Sequence, residues 1–330
     1  MLLIFNQILT EAPEYAENGL VGFPITAILD WPAGTPAGLR VFLDPRVNQH
    51  FKYMFDVWSE FLVSMKSTYV LNTADNGWFG PYASEAMPNF NGTFKCDPLA
   101  PHHGFKSWDD FFTRKFRDGV RPIELADDDS VINNACESVV YNVAHEIKLR
   151  DHFWLKEQPY SLTDMLDHDP LTEKFVGGSI YQAFLSATSY HRWHSPVNGK
   201  IVNRVNIPGT YFAQSPYTGF ERPGGPDPAI PCDSQAFITS LAARALIFIE
   251  ADNPKIGLMA FLAVGMGEVS TCEIRVTAGQ RVKKGEELGM FHFGGSTHCL
   301  IFRPEAPVVF SADYPNGTNV LLGAAIATVH

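Results

Sequence analysis

The stretch Gly289–Leu300 reads GMFHFGGSTHCL. Aromatics alternate at Phe291 and Phe293, two glycines follow, and a Ser-Thr pair opens a second run. Paired glycines between such runs predict a tight turn joining two strands. The same residues pose a chemical question, because they set Ser296 next to the backbone carbonyl of Gly295. A nucleophile elbow would need Gly-x-Ser-x-Gly between a strand and a helix. Here His298 stands at the second glycine position, and no helical pattern follows. Taken alone, the stretch is a turn.

Its surroundings are β-like. From about residue 130 the chain offers SVVYNVAHEIKL, GKIVNRVNI, ALIFIEA, GLMAFLAV, STCEIRV and NVLLGAAIATV. These are short β-branched or apolar runs bounded by Gly, Pro, Asn and Asp. One helical piece, SLTDML from Ser161, interrupts them. Upstream, Val47, Phe51, Met54, Phe55, Trp58, Leu62 and Met65 recur at helical spacing and predict one long helix. Ser107 and Asp110 stand at capping-box spacing and predict a short helix in SWDDFFTRKF. The first 40 or so residues are rich in Pro and Gly and read as an extended arm. The fold class expected is α+β: a helical N-terminal region packed on an antiparallel, β-rich, sandwich-like core.

Composition narrows the function. The chain has 330 residues, is 45% hydrophobic and 18% charged, and carries a net charge of −11. That suits a globular protein with a large core and speaks against a broad nucleic-acid footprint. No run approaches the ~20 apolar residues of a membrane span, and the apolar MLLIFNQIL start lacks a basic flank and a cleavage site. A soluble, cytoplasmic protein with no stable membrane insertion is expected. The five cysteines, Cys96, Cys136, Cys232, Cys272 and Cys299, are scattered without a Cys-x-x-Cys pair. They read as reduced thiols, with no disulfide framework and no metal site.

Three further segments carry candidate chemistry. In SYHRWHSPVNG, His191 and His194 would face opposite sides of a strand or the same side of a helical turn. In NACESVVYN, Glu137 sits among small residues where packing is expected, so the acid needs a partner, a histidine being the obvious one. In FFTRKFRDGVRPI, Arg114 and Arg121 lie among aromatics and turns, either as a solvated helix end or as a structural clamp.

In this combination and order the segments resemble the phosphatidylserine decarboxylase family of pyruvoyl enzymes. FFTRKFRDGVRPI resembles its Phe-Phe-x-Arg…Arg-Pro segment, and YHRWHSPVNG its Tyr-His-Arg-x-His-x-Pro-x-x-Gly segment. KKGEELGMFHFGGST resembles its processing site. The resemblance covers roughly residues 105–330. The N-terminal third, with ACES, GTYFAQ, FIEADN and STCE, resembles the soluble fungal L-tryptophan decarboxylase branch. The chain looks shorter at its start than those relatives. The implied domains are an N-terminal arm and helical domain over 1–104 and a catalytic domain over 105–330.

The resemblance implies self-cleavage between Gly295 and Ser296, giving fragments 1–295 and 296–330 that remain associated. The Ser296 hydroxyl attacks the Gly295 carbonyl, with His194 as base and Glu137 as the acid that orients it. The family has Pro-x-Asp-Gly where this chain has Ala135-Cys136-Glu137-Ser138, so the acid is one methylene longer here. Elimination and hydrolysis leave a pyruvoyl group from Ser296. It forms a Schiff base with the substrate amine and takes up electrons as CO2 departs, so no pyridoxal phosphate is implied. His191 is the implied proton donor to the product carbon. The substrate expected is a free aromatic L-amino acid, L-tryptophan first, with Tyr211 and Phe212 as candidate stacking surface. Rival expectations are phosphatidylserine decarboxylation, a non-enzymatic binding relative, and a Ser-His-Glu hydrolase.

Overall fold

The computed structural model describes residues 2–16, 23–150, 160–215, 234–268, 270–293 and 296–330. Gly294, Gly295 and Cys232 lie outside the described residues. The N-terminal third holds α1 (Leu2–Ile8), α2 (Pro24–Ala33), α3 (Pro36–Phe42), α4 (Pro45–Leu62), α5 (Pro81–Ala86), α6 (Phe90–Thr93) and α7 (Trp108–Phe112). The extended arm expected over the first 40 residues is therefore corrected to helices. While Pro32 lies inside α2, four prolines of the N-terminal third start helices, Pro24, Pro36, Pro45 and Pro81 each occupying a first-turn position. There the missing N–H costs nothing, and the ring presets the helical φ.

The long helix forms as expected. Asp44 caps α4 by accepting from the Arg46 N–H, and Phe51, Phe55, Trp58 and Leu62 form its buried stripe. Each such side chain, fully buried, contributes about 1.5–3 kcal/mol. The Ser107 hydroxyl caps α7 by accepting from the Asp110 N–H at 3.0 Å, as the capping-box spacing predicts. The helical piece after Ser161 spans Leu162–Met165.

The rest is antiparallel sheet. In chain order the strands are β1 (Val131–Asn133), β2 (Ser138–His145), β3 (Ser179–Leu185), β4 (Arg192–His194), β5 (Gly199–Ile207), β6 (Arg244–Ala251) and β7 (Leu258–Gly265). They continue with β8 (Thr271–Ile274), β9 (Arg281–Val282), β10 (Glu287–His292), β11 (Ser296–Phe302), β12 (Val308–Phe310), β13 (Asn319–Val320) and β14 (Ala325–Val329). An eight-stranded sheet runs β13-β2-β3-β11-β7-β6-β5-β9, beside three-stranded sheets β4-β10-β8 and β1-β14-β12. The run NVLLGAAIATV is split between β13 and β14 by a turn at Gly323, whose φ of +82 suits glycine.

The eight-stranded sheet is covered on both faces. Along β11, Leu300 and Phe302 join a core shared with Trp193 and Phe291 of the small β4-β10-β8 sheet. Cys299 and Ile301 face the other way, onto Leu162, Met165 and Phe175. A third core joins the N-terminal helices to Phe212, Ala213 and Phe293. The architecture is α+β, with helices packed on a sandwich-like β core.

Candidate active site

Strand register sets Ser296 and Glu137 at one end of the eight-stranded sheet. Ser296, the first residue of β11, pairs with Leu185 at the end of β3 and with Gly265 at the end of β7. Ser138 opens β2, whose Val139 pairs with Phe184, so Glu137 precedes the strand at this same end. The chain leaving Leu185 runs directly into Tyr190–His194.

Ser296 is wholly buried, and its Oγ has no hydrogen-bond partner. A buried hydroxyl without a partner costs about 1–3 kcal/mol, so it calls for an explanation other than stability. Its neighbour Gly265 is required by close approach: a Cβ there would lie 2.4 Å from Ser270 Cα.

His191 and His194 separate as strand geometry demands. His194 lies on β4 opposite Glu287, the first residue of β10, and the His191 backbone carbonyl accepts from the Phe291 N–H near the end of β10. The His194 Nδ1 donates to the Gly285 carbonyl at 2.7 Å, which can only accept, so Nε2 accepts from the Tyr190 hydroxyl at 2.9 Å. Burial pushes the His194 pKa below its ordinary value, which favours this neutral form. His191 is fully buried and stacks on Phe112 with ring centroids 3.9 Å apart.

Glu137 has a different partner from the histidine expected. Arg121 grips it in a two-pronged ion pair at 2.5 and 2.7 Å. A guanidinium fork satisfies both carboxylate oxygens at once, which an imidazole cannot do. His194 is nevertheless close in the packing. Arg121 lies over Phe116, Phe116 stacks on Tyr190, and Tyr190 bonds His194. The His194 N–H also donates to the Ala135 carbonyl, two residues before Glu137.

Arg114 is the clamp of the two readings considered. It is buried over Phe94 at 4.4 Å and donates to the carbonyls of Thr188 and Ser189 at 2.6 and 3.0 Å. Burial pulls its pKa down to about 10, with Glu137 opposing the fall. It thereby fixes the segment that carries Tyr190 and both histidines. Arg114→Leu is expected to destabilise the fold by about 2–4 kcal/mol, because two half-buried carbonyls lose their donor and the buried packing on Phe94 is lost. Urea unfolding would measure the loss.

Sequence reading missed three features of this end. Tyr190, four residues before His194, is its hydrogen-bond partner. Arg192 bridges Glu287 at 2.8 Å, tying β4 to β10. His298, two residues after Ser296, shares its strand face and lies buried near Tyr181 and Phe261. Burial pushes its pKa down to about 3, so it is neutral. The i, i+2 alternation of a strand was the available signal for His298.

Tyr211 and Phe212 part company. Tyr211 lines a cavity of about 540 Å³ together with Asn48, Lys52, Phe55, Ser270 and Cys272. Phe212 is core, packed on Phe42, Phe51 and Phe55. Among the described residues, no cluster of three His, Cys, Asp or Glu is placed to hold a metal ion. No helix among them is long and apolar enough to cross a membrane.

The family model described as phosphatidylserine decarboxylase matches residues 108–328, and a second model so described matches residues 1–87. Fold and matches together define a carboxy-lyase. The chain belongs to the phosphatidylserine decarboxylase family. It is 44% identical to decarboxylase iboD of Amanita muscaria over 94% of this chain and 92% of the relative. It is 43% identical to the L-tryptophan decarboxylase of Psilocybe cyanescens over 98% of this chain and 77% of the relative. Phosphatidylserine decarboxylase proenzyme 3 of Schizosaccharomyces pombe is 30% identical over 62% of this chain and 19% of its own length.

Proposed function

We propose that this chain is a self-cleaving, pyruvoyl-dependent decarboxylase of a free aromatic L-amino acid, with L-tryptophan as the first substrate to test. The observation that carries the reading is Ser296: a buried, unpartnered hydroxyl heading a central strand, at the serine of the processing motif. An orphaned Oγ is free to become a carbonyl without breaking a hydrogen bond, so the residues present fit the group.

In this reading Ser296 Oγ attacks the Gly295 carbonyl carbon while its proton passes to His194. The Gly295–Ser296 C–N bond breaks, and the peptide link becomes an ester. Loss of the Ser296 Cα proton expels the Gly295 carboxylate and leaves dehydroalanine. Its imine tautomer takes up water and releases ammonia, which leaves the pyruvoyl group. For His194 to act as the base, its Nε2 must exchange the Tyr190 hydroxyl for Ser296, and Glu137 acts on it from the same cluster. The group made at residue 296 supplies an electrophilic carbonyl that takes up the electron pair freed when CO2 departs. His191 returns a proton to the product carbon.

The same reading divides the chain into an N-terminal helical domain over 1–104 and a catalytic domain over 105–330, cut into 1–295 and 296–330. Association of the fragments is supported by β11, which is hydrogen-bonded along its whole length to β3 on one side and β7 on the other. The cavity beside Tyr211 supports an aromatic substrate. It lies at the sheet end of Ser296, and Ser270 on its wall packs against Gly265. Identity of 43% over 98% of this chain to an L-tryptophan decarboxylase supports the substrate class, and a soluble, cytoplasmic enzyme is part of the same proposal. Purified protein is expected to release CO2 and tryptamine from L-tryptophan and to leave phosphatidylserine vesicles unchanged. Turnover of the lipid but not of tryptophan would overturn the substrate.

A further inference from the structure

The residues just before the proposed scissile bond are held by contacts that the reaction scheme does not use. The His292 ring, at the end of β10, is bonded through both nitrogens. Nδ1 meets the Asp109 carboxylate at 3.0 and 3.1 Å, and Nε2 meets the Glu273 carboxylate at 2.8 Å. Asp109 belongs to α7 and Glu273 to β8, so one ring joins the helical region to the sheet. The next residue, Phe293, has a left-handed φ of 44° and inserts between Trp58 and Trp108, with ring centroids 4.7 and 4.6 Å away. A left-handed phenylalanine is strained and persists only where its surroundings impose it. On the far side of the bond, Ser296 is fixed in the sheet.

We propose that His292, gripped by Asp109 and Glu273, is a positioning residue for self-cleavage: it anchors the carbonyl side of the Gly295–Ser296 bond against the fixed serine. The inference rests on the proposed cleavage at Ser296. With both sides held, attack becomes a matter of local geometry. Two carboxylates can both accept only if both ring nitrogens carry hydrogen, so the clamp needs imidazolium. Burial opposes that charge, but the hydrogen bonds and fields of Asp109 and Glu273 outweigh it and raise the pKa above the ordinary value. The further charge facing this cluster is Arg275 on β8, bonded to Glu273 at 2.7 Å. The sign follows: the folded pKa is raised, so the clamp is complete below the ordinary histidine value and is lost as pH rises through the folded one.

The test follows cleavage itself. Full-length chain is made by cell-free synthesis, pulse-labelled, shifted to a series of pH values, and the two fragments are counted with time. The wild type is expected to slow as pH rises above the ordinary histidine range. This limb is opposite in direction to the gain expected when a buried base such as His194 loses its proton at lower pH. His292→Lys, charged throughout, should keep cleaving and lose that limb. His292→Gln should cleave about 10- to 100-fold more slowly at low pH, the scale of a small misplacement. Asp109→Asn should weaken the limb without touching the ring. A wild type that stays whole would refute the cleavage reading. A wild type that cleaves, with His292→Gln matching its rate and pH profile or His292→Lys keeping the limb, would refute the anchor alone.

Discussion

Ser296→Ala is expected to yield one intact chain with no decarboxylase activity and a nearly unchanged fold. The two halves of that expectation come from one observation. The Ser296 Oγ is buried and makes no hydrogen bond, so its removal breaks none and relieves a desolvated polar atom. The variant is expected to be as stable as the wild type or more stable by up to about 3 kcal/mol, and thermal melting should confirm it. The chemistry is lost in full, because the hydroxyl is both the nucleophile and the source of the reactive carbonyl. Intact mass would show the single chain. A cleaved Ser296→Ala protein would place the scissile bond elsewhere.

Changes at the two histidines should divide cleavage from turnover. His194→Ala is expected to slow cleavage by roughly 10²- to 10⁴-fold, the usual contribution of a positioned base. It also strips a donor from the Gly285 carbonyl and an acceptor from Tyr190, so some loss of stability is expected. His194→Asn separates the effects, since its amide can still donate to Gly285 while the distal nitrogen is gone. If His194→Asn cleaves normally, His194 is not the base. His191→Ala should still cleave but turn over substrate poorly, and loss of cleavage there would move the base to His191. The geometry sharpens this contest, because His191 lies against Phe291 near the cleavage side of β10, whereas His194 lies opposite its far end.

Much of the fold was legible where one face dominates the pattern. The stripe from Phe51 to Leu62 gave α4, and the Ser107–Asp110 spacing gave α7. The N-terminal helices were hidden because proline counts as a breaker unless its first-turn position is recognised. The central strand β3 was passed over because Gln182 interrupts SIYQAFL. In the fold that amide is buried and bonded to Tyr160 and Thr297, so a polar residue sits in a strand without exposing it.

The site was legible in a different way. Its residue types and their order pointed to a serine, two histidines and an acid; the register sets the serine and the acid at one end of the eight-stranded sheet, while the histidines sit on or just before β4 of the neighbouring sheet. The partners could not be read from spacing. Glu137 meets Arg121 across 16 residues, and His292 meets Asp109 across 183. Such pairs depend on how α7, β8 and β10 pack, which no local period records.

The central claim is that Ser296 becomes the head of a separate chain. Intact-mass measurement of purified wild-type protein tests it most directly. The account predicts two species, 1–295 and 296–330, the smaller lighter than its sequence by the change of an N-terminal serine to pyruvoyl and resistant to N-terminal sequencing. A single species with the full mass of 330 residues, recovered from an active preparation, would contradict it.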